Sequence, residues 1–173
     1  LEGRLADDFK LSTGTRVRVG PLRARFLALA GDLVQDVVVA GEGRDHAAAL
    51  LLPGLAALRR LAGDDAAKLP ARDLCAHPRI VARVNDLLQE FNAAHPRSST
   101  SLASAILLDV PPSIDAQEIT DKGSLNQRAV LRHRALLVEQ LYGASGEARV
   151  IVSSGSGTAR SPRARRRSRA CPR

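Results

Sequence analysis

Val37-Val-Val-Ala40 and Ala47-Ala-Ala-Leu-Leu-Leu52 are two short apolar runs joined by the polar, glycine-bearing link Gly41-Glu-Gly-Arg-Asp45. Runs this short and apolar, bounded by turn residues, read as the two strands of a hairpin with a longer loop. Pro53-Gly54 stops the second strand, and Leu55, Leu58 and Leu61 begin a short helix. Upstream, Thr15-Arg-Val-Arg-Val19 alternates polar and apolar with period two, the mark of a half-buried strand. Gly14 before it marks a tight loop where a side chain is expected to obstruct something. Gly20-Pro21 then opens a helix with Leu22, Phe26 and Leu29 on one face.

Downstream, Gly63 to Pro70 is polar and reads as a surface connection, and Pro78 starts an amphipathic helix. Ile80, Val81, Val84, Leu87, Leu88 and Phe91 form its core stripe, opposite Arg79, Arg83, Asp86 and Glu90. Ala103 to Asp109 reads as a third sheet strand, ended by Pro111-Pro112. Ser124 with Gln127 three residues later has the form of a capping box for a helix running to about Leu141, which buries Val130, Leu131, Leu137, Val138 and Leu141. Burying such side chains contributes roughly 1.5–3 kcal/mol each before entropy. The order strand, helix, hairpin, helix, helix, strand, helix predicts an α+β domain over residues 1–142, a small sheet covered by helices. Residues 143–173 lose apolar periodicity and are expected to be a disordered Gly/Ser/Arg-rich tail.

The formal charge of +8 comes almost wholly from that tail. Seven arginines and no acid lie between Arg160 and Arg173, and without them 19 basic residues face 18 acidic ones. The folded part is near neutral, so its charge implies no partner. The Arg-rich tail suits non-specific contact with nucleic acid or an acidic surface, and a small non-catalytic binding module built on it is an alternative reading. The absence of interleaved aromatics argues against sequence-specific recognition. Cys75 and Cys171 lie far apart with no C-x-x-C spacing, and the four histidines are scattered singly. No disulfide framework or metal site is expected, and each histidine reads as a surface or capping residue. Ser154-Gly-Ser-Gly-Thr158 lacks the lysine and the strand-then-helix context of a phosphate loop and reads as linker. No membrane span or signal peptide is visible, so the expected compartment is the cytosol.

One residue carries chemistry beyond packing. Lys122 is one of three lysines in a chain otherwise supplied with arginine. Two residues ahead of the expected cap at Ser124, its ammonium is suited to meeting a phosphate or carboxylate. A solvated loop lysine is the other reading of the same residue.

Glu118-Ile-Thr-Asp-Lys-Gly-Ser-Leu-Asn-Gln-Arg-Ala-Val-Leu131 resembles the lysine-bearing motif near the end of adenylate-forming acid–CoA ligases, with feruloyl-CoA synthetases as the nearest group. Gly3-Arg-Leu-Ala-Asp-Asp-Phe-Lys-Leu-Ser-Thr-Gly-Thr-Arg-Val17 resembles the motif where the large domain of those enzymes hinges into a small C-terminal lid. The resemblance implies that residues 1–142 are such a lid and that the chain is a fragment, its large N-terminal adenylation domain lying elsewhere. It implies a catalytic role for Lys122, at the substrate carboxylate and the α-phosphate of ATP. It also implies a hinge at Asp7 or Asp8, and a loop at Gly14 that borders the pantetheine tunnel. Arg16 stands where feruloyl-CoA synthetases lead one to expect tryptophan. ATP with Mg2+, CoA and an aromatic carboxylic acid would be the reactants of the intact enzyme, and the chain alone is expected to be inactive.

Overall fold

The computed structural model describes residues 7–66, 68–97, 99–143 and 151–152. Its centre is a four-stranded sheet, in spatial order β3 (Val34–Ala40), β4 (Ala48–Pro53), β5 (Ser104–Leu107), β6 (Ile151–Val152). β3 and β4 form the predicted antiparallel hairpin, with a bulge between Val34 and Asp36. β5 runs parallel to β4, and β6 antiparallel to β5. A separate two-stranded ribbon precedes the sheet, β1 (Phe9–Lys10) against β2 (Arg16–Val17).

The hairpin strands are apolar on both faces because both faces are covered, the pattern expected of a doubly packed sheet. Val37, Val39, Ala49, Leu51, Ala105 and Leu107 meet α1 (Val19–Ala30), α2 (Leu55–Ala62) and α4 (Pro78–Ala94). Val38, Ala40, Ala48, Leu50 and Ile106 meet α5 (Gln127–His133) and α6 (Ala135–Tyr142). The predicted α+β class stands, as three layers with the sheet in the middle.

α4 follows the sequence closely. Pro78 occupies its first position, and the His77 ring accepts a hydrogen bond from the Arg79 N–H at 3.3 Å, the capping role foreseen for a histidine. Ile80, Val84, Leu87, Leu88 and Phe91 are buried, and Val81 is partly so. Phe91 meets Phe26 of α1 edge to face at 5.2 Å. Near its end, the Asn92 side chain both donates to the Leu102 carbonyl (2.7 Å) and accepts from its N–H (2.8 Å), fixing the chain before it enters β5.

Several expectations need correction. α1 begins at Val19, with Pro21 as its third residue; proline is tolerated there because first-turn N–H groups have no helical partner. Its stripe is Leu22, Phe26, Ala30, stepping by four, which leaves Leu29 41% exposed. The connection after Gly63 contains a 3-10 turn at Asp64–Ala66 and is followed by a one-turn helix, α3 (Ala71–Cys75), too short to show a period. The final helix is two helices broken at Arg134 (φ −104°, ψ 30°). Within the stretch expected to be tail, Ile151 and Val152 pair with Ala105 and Ser104, and Ile151 is buried. The glycine–serine run and the arginine block lie outside the described residues. Among the described residues no helix is long and apolar enough to cross a membrane.

Candidate functional site

Lys122 sits at the tip of a small hairpin that the sequence did not announce. Ile119 and Leu125 form an antiparallel bridge, the Asn126 N–H donates to the Glu118 carbonyl (2.8 Å), and the Thr120 N–H donates to Ser124 (2.8 Å). The Gly123 N–H closes the turn onto the Thr120 carbonyl at 2.8 Å, with Gly123 at φ 77°. A three-residue loop ending in a left-handed glycine is a common hairpin solution, and Asp121-Lys122-Gly123 supplies it. The Thr120 and Ser124 hydroxyls bond to each other across the neck at 2.8 Å. Lys122 is exposed and pairs with no acid among the described residues.

The capping box expected at Ser124 and Gln127 is therefore not formed. Asn126 caps α5, its side chain accepting from the Ala129 N–H at 3.4 Å. Gln127 is instead buried against the sheet, where its amide oxygen accepts from the Val39 N–H (3.1 Å) and its amide nitrogen donates to the Val39 carbonyl (3.2 Å). β3 is an edge strand, so Gln127 satisfies backbone groups that no neighbouring strand reaches. Lys122 stands four residues ahead of the cap, on a hairpin of its own.

Gly14 occupies a turn of the same construction. The Leu11 N–H donates to Thr15 (2.9 Å), the Gly14 N–H donates to Leu11 (2.9 Å), and Gly14 has φ 82°. The expectation that a side chain there would obstruct something does not hold within this chain, since a Cβ on Gly14 would meet nothing within 4 Å. The left-handed backbone is what calls for glycine. Two bonds tie this turn to the β3–β4 loop, Ser12 N–H to Arg44 carbonyl (2.7 Å) and Gly43 N–H to Lys10 carbonyl (3.0 Å). That loop is held in turn by α6. The Tyr142 hydroxyl donates to the His46 carbonyl at 3.1 Å, and Arg44 lies 4.9 Å over the Tyr142 ring while pairing with Glu139. Burial pushes the Tyr142 phenol above its ordinary range, against the opposing pull of Arg44.

The two hairpins root in opposite faces of the sheet. Phe9, Leu11 and Val17 at the foot of the Gly14 turn join the cluster under α1 and α4. Ile119 and Leu125 at the foot of the Lys122 turn join the cluster under α5 and α6.

Asp7 and Asp8 differ in environment. The Asp8 carboxylate, with its side chain 8% exposed, accepts from the Val19 N–H at 3.1 Å and lies 3.8 Å from the Arg16 guanidinium. It thereby satisfies an N–H at the start of α1, where the flanking residue Arg18 supplies no side-chain cap. Asp7 is more open and lies 3.8 Å from the Arg128 guanidinium of α5. Both line a cleft of about 550 Å3 floored by Val39, Gln127 and Leu131.

Sequence reasoning missed the pair beneath the Lys122 hairpin. The Arg134 guanidinium grips both oxygens of Glu118, each at 2.9 Å, with side chains 11% and 4% exposed. The Ser113 N–H donates to the same carboxylate at 2.9 Å. The Arg134 hydrogen bond leads in holding the Glu118 carboxyl below its ordinary value, with the Ser113 bond assisting and burial opposing. No local pattern in the sequence marks the pair, since its partners lie 16 residues apart. Among the described residues no cluster of three or more His, Cys, Asp or Glu is arranged to hold a metal ion.

No protein of curated function matches the chain. Among solved structures it is similar to the adenylation domain of the carboxylate reductase from Mycobacterium chelonae, with 23% identity and a TM-score of 0.60 over 80% of this chain and 20% of that one. It is also similar to the A-PCP didomain of the carboxylic acid reductase from Segniliparus rugosus in complex with AMP, with 21% identity and a TM-score of 0.59 over 81% of this chain and 18% of that one. These likenesses are of fold, and the chain spans about a fifth of the length of those reductase structures. Residues 7–146 match the AMP-binding enzyme C-terminal domain, a stretch that takes in both hairpins and the first three strands of the central sheet. The chain belongs to that family.

Proposed function

We propose that the chain is the mobile C-terminal domain of an ATP-dependent acid–CoA ligase of the feruloyl-CoA synthetase type. Its partner is the large adenylation domain of the same enzyme, which binds ATP with its Mg2+ and an aromatic carboxylic acid. In the first half-reaction the Lys122 ammonium meets charge building between the carboxylate and the α-phosphate as pyrophosphate leaves. A preorganised cation in a water-poor cleft stabilises such a transition state by several kcal/mol. In the second, the domain turns, Lys122 withdraws, and the Gly14 turn comes to border the channel through which the CoA thiol attacks the acyl-adenylate and displaces AMP. Asp8 is held to α1 by its carboxylate, and on this reading the more open Asp7 is the pivot.

The observation that carries this reading is the pair of like turns on opposite faces of one rigid sheet, one tipped by a free ammonium and one by an uncluttered glycine. A domain serving two half-reactions by rotation needs two such faces. In an intact ligase carrying this domain, Lys122→Ala should lower acyl-adenylate formation by a hundredfold or more. Thioester formation from supplied acyl-adenylate and CoA should change little. Equal loss in both half-reactions would overturn the assignment. A thioester formed on a carrier domain while free CoA is refused would move the parent enzyme from ligase to reductase type.

A further inference from the structure

We propose that Glu118 and Arg134 are positioning residues for Lys122: their buried, two-point ion pair sets the direction of the hairpin that carries the ammonium. The inference rests on the role assigned to Lys122 and deepens it. The hairpin stem is a single bridge, Ile119 with Leu125, and a two-stranded stem that short does not hold its own direction in water. Its direction is set at the foot. Glu118 is the foot residue on one side, and its carbonyl holds the foot residue of the other side, Asn126. Arg134 joins this foot to the exit from β5 as well, donating to the Val110 carbonyl at 2.8 Å and the Pro111 carbonyl at 3.0 Å. One guanidinium therefore ties its own helix junction to the hairpin foot and to the exit from β5, and the helix break at Arg134 lies where it does so.

Lever arithmetic shows why this matters for chemistry. Two residues of extended chain at about 3.3 Å each, with the turn beyond them, place the tip about 10 Å from the foot. A turn of about 10° at the foot then moves the Lys122 backbone by about 2 Å. Catalytic groups must be held to about 0.5 Å, and a misplacement of about 1 Å costs on the order of a hundredfold in rate. A buried ion pair adds little net stability over an apolar pair of the same size, so its distinct contribution here is direction.

Glu118→Gln keeps the shape and removes the charge. In the purified chain, this change should speed amide hydrogen exchange at Thr120 and Asn126 at least tenfold more than at Leu50 and Leu51 of the sheet, which report only the global loss of stability. This readout does not depend on what Lys122 does. Unaltered exchange at the hairpin, or equal acceleration throughout the sheet, would overturn the proposal. In an intact ligase carrying this domain, Glu118→Gln should lower kcat for ATP–pyrophosphate exchange at least tenfold with KM for ATP within twofold. Placed on Lys122→Ala, it should cause no further loss, because there is no ammonium left to aim. A full, multiplicative loss in that background would mark Glu118 as merely structural and overturn the proposal. Normal exchange by Lys122→Ala alone would overturn the catalytic role of Lys122 and with it the aiming role of the pair.

Discussion

At the scale of single residues, Glu118 is where charge, burial and hairpin direction meet. Its carboxyl is held below the ordinary value of 4.5 chiefly by Arg134, while the unfolded chain titrates near that value. Between the two values the unfolded chain binds more protons than the folded one, so stability rises with pH there. The contribution of Glu118 is thus complete above about pH 5 and drains as pH falls through 4.5 toward its folded value. Urea unfolding followed from pH 7 to pH 3 should show the native chain losing stability more steeply on the acid side than Glu118→Gln, with the two curves converging. Parallel curves would mean that the carboxylate is not engaged in solution. Lys122 could be singled out in the sequence because lysine is rare in this chain and stands at a motif position, and Gly14 because a glycine in a polar turn marks a special backbone. The Glu118–Arg134 pair could not. Sixteen residues separate the partners, and the chain offers many other arginines. Gln127 was misassigned for a related reason, since its spacing from Ser124 fits a capping box locally while its real partner, Val39, lies 88 residues away.

Secondary-structure elements were legible in proportion to their length and apolar content. α4 repeats its stripe over 17 residues, and β3 and β4 are nearly all apolar, so pattern and outcome agree. The Lys122 hairpin has a polar tip and a stem of one apolar pair, which leaves nothing periodic to read. Its signal was turn chemistry, a glycine at the end of a three-residue loop, and the Gly14 turn repeats it. That likeness makes a shared prediction. At both glycines φ is near +80° and a Cβ would meet nothing within 4 Å, so the cost of a side chain is conformational alone. Alanine at Gly14 or Gly123 should cost about 1–2 kcal/mol by denaturant unfolding. Asparagine, which enters the left-handed region more readily, should recover much of it. Gly54 is the control of opposite kind, because a Cβ there would lie 2.0 Å from the Asp32 carbonyl oxygen. Gly54→Ala should destabilise more than either turn variant, and asparagine should not relieve it. If asparagine at Gly14 is no better than alanine, space and not conformation governs the turn.

For the whole molecule, α+β could be read from the order of runs, but the three-layer arrangement could not. A sheet apolar on both faces was visible in Val37–Ala40 and Ala47–Leu52, yet which helices cover which face depends on contacts between elements remote in sequence. β6 was the hardest part, two residues beyond the point where apolar periodicity ends. They close the sheet beside β5, and Ile151 joins the cluster under α4. Without them, β5 would carry unpaired backbone groups at an edge already apolar on both sides, an invitation to pair with another chain. Two truncations separate this from any effect of the arginine block. A chain ending at Val152 keeps the β5–β6 ladder, whereas one ending at Gly143 loses it together with the burial of Ile151. Burial of that side chain alone is worth roughly 1.5–3 kcal/mol. The shorter chain should therefore unfold at lower denaturant than the longer one, by no more than that free energy because the entropy of ordering the strand offsets part of it, and sedimentation should show it self-associating at concentrations where the longer chain is monomeric. Equal stability and equal sedimentation of the two would mean that the sheet is complete with three strands and that β6 contributes nothing to it.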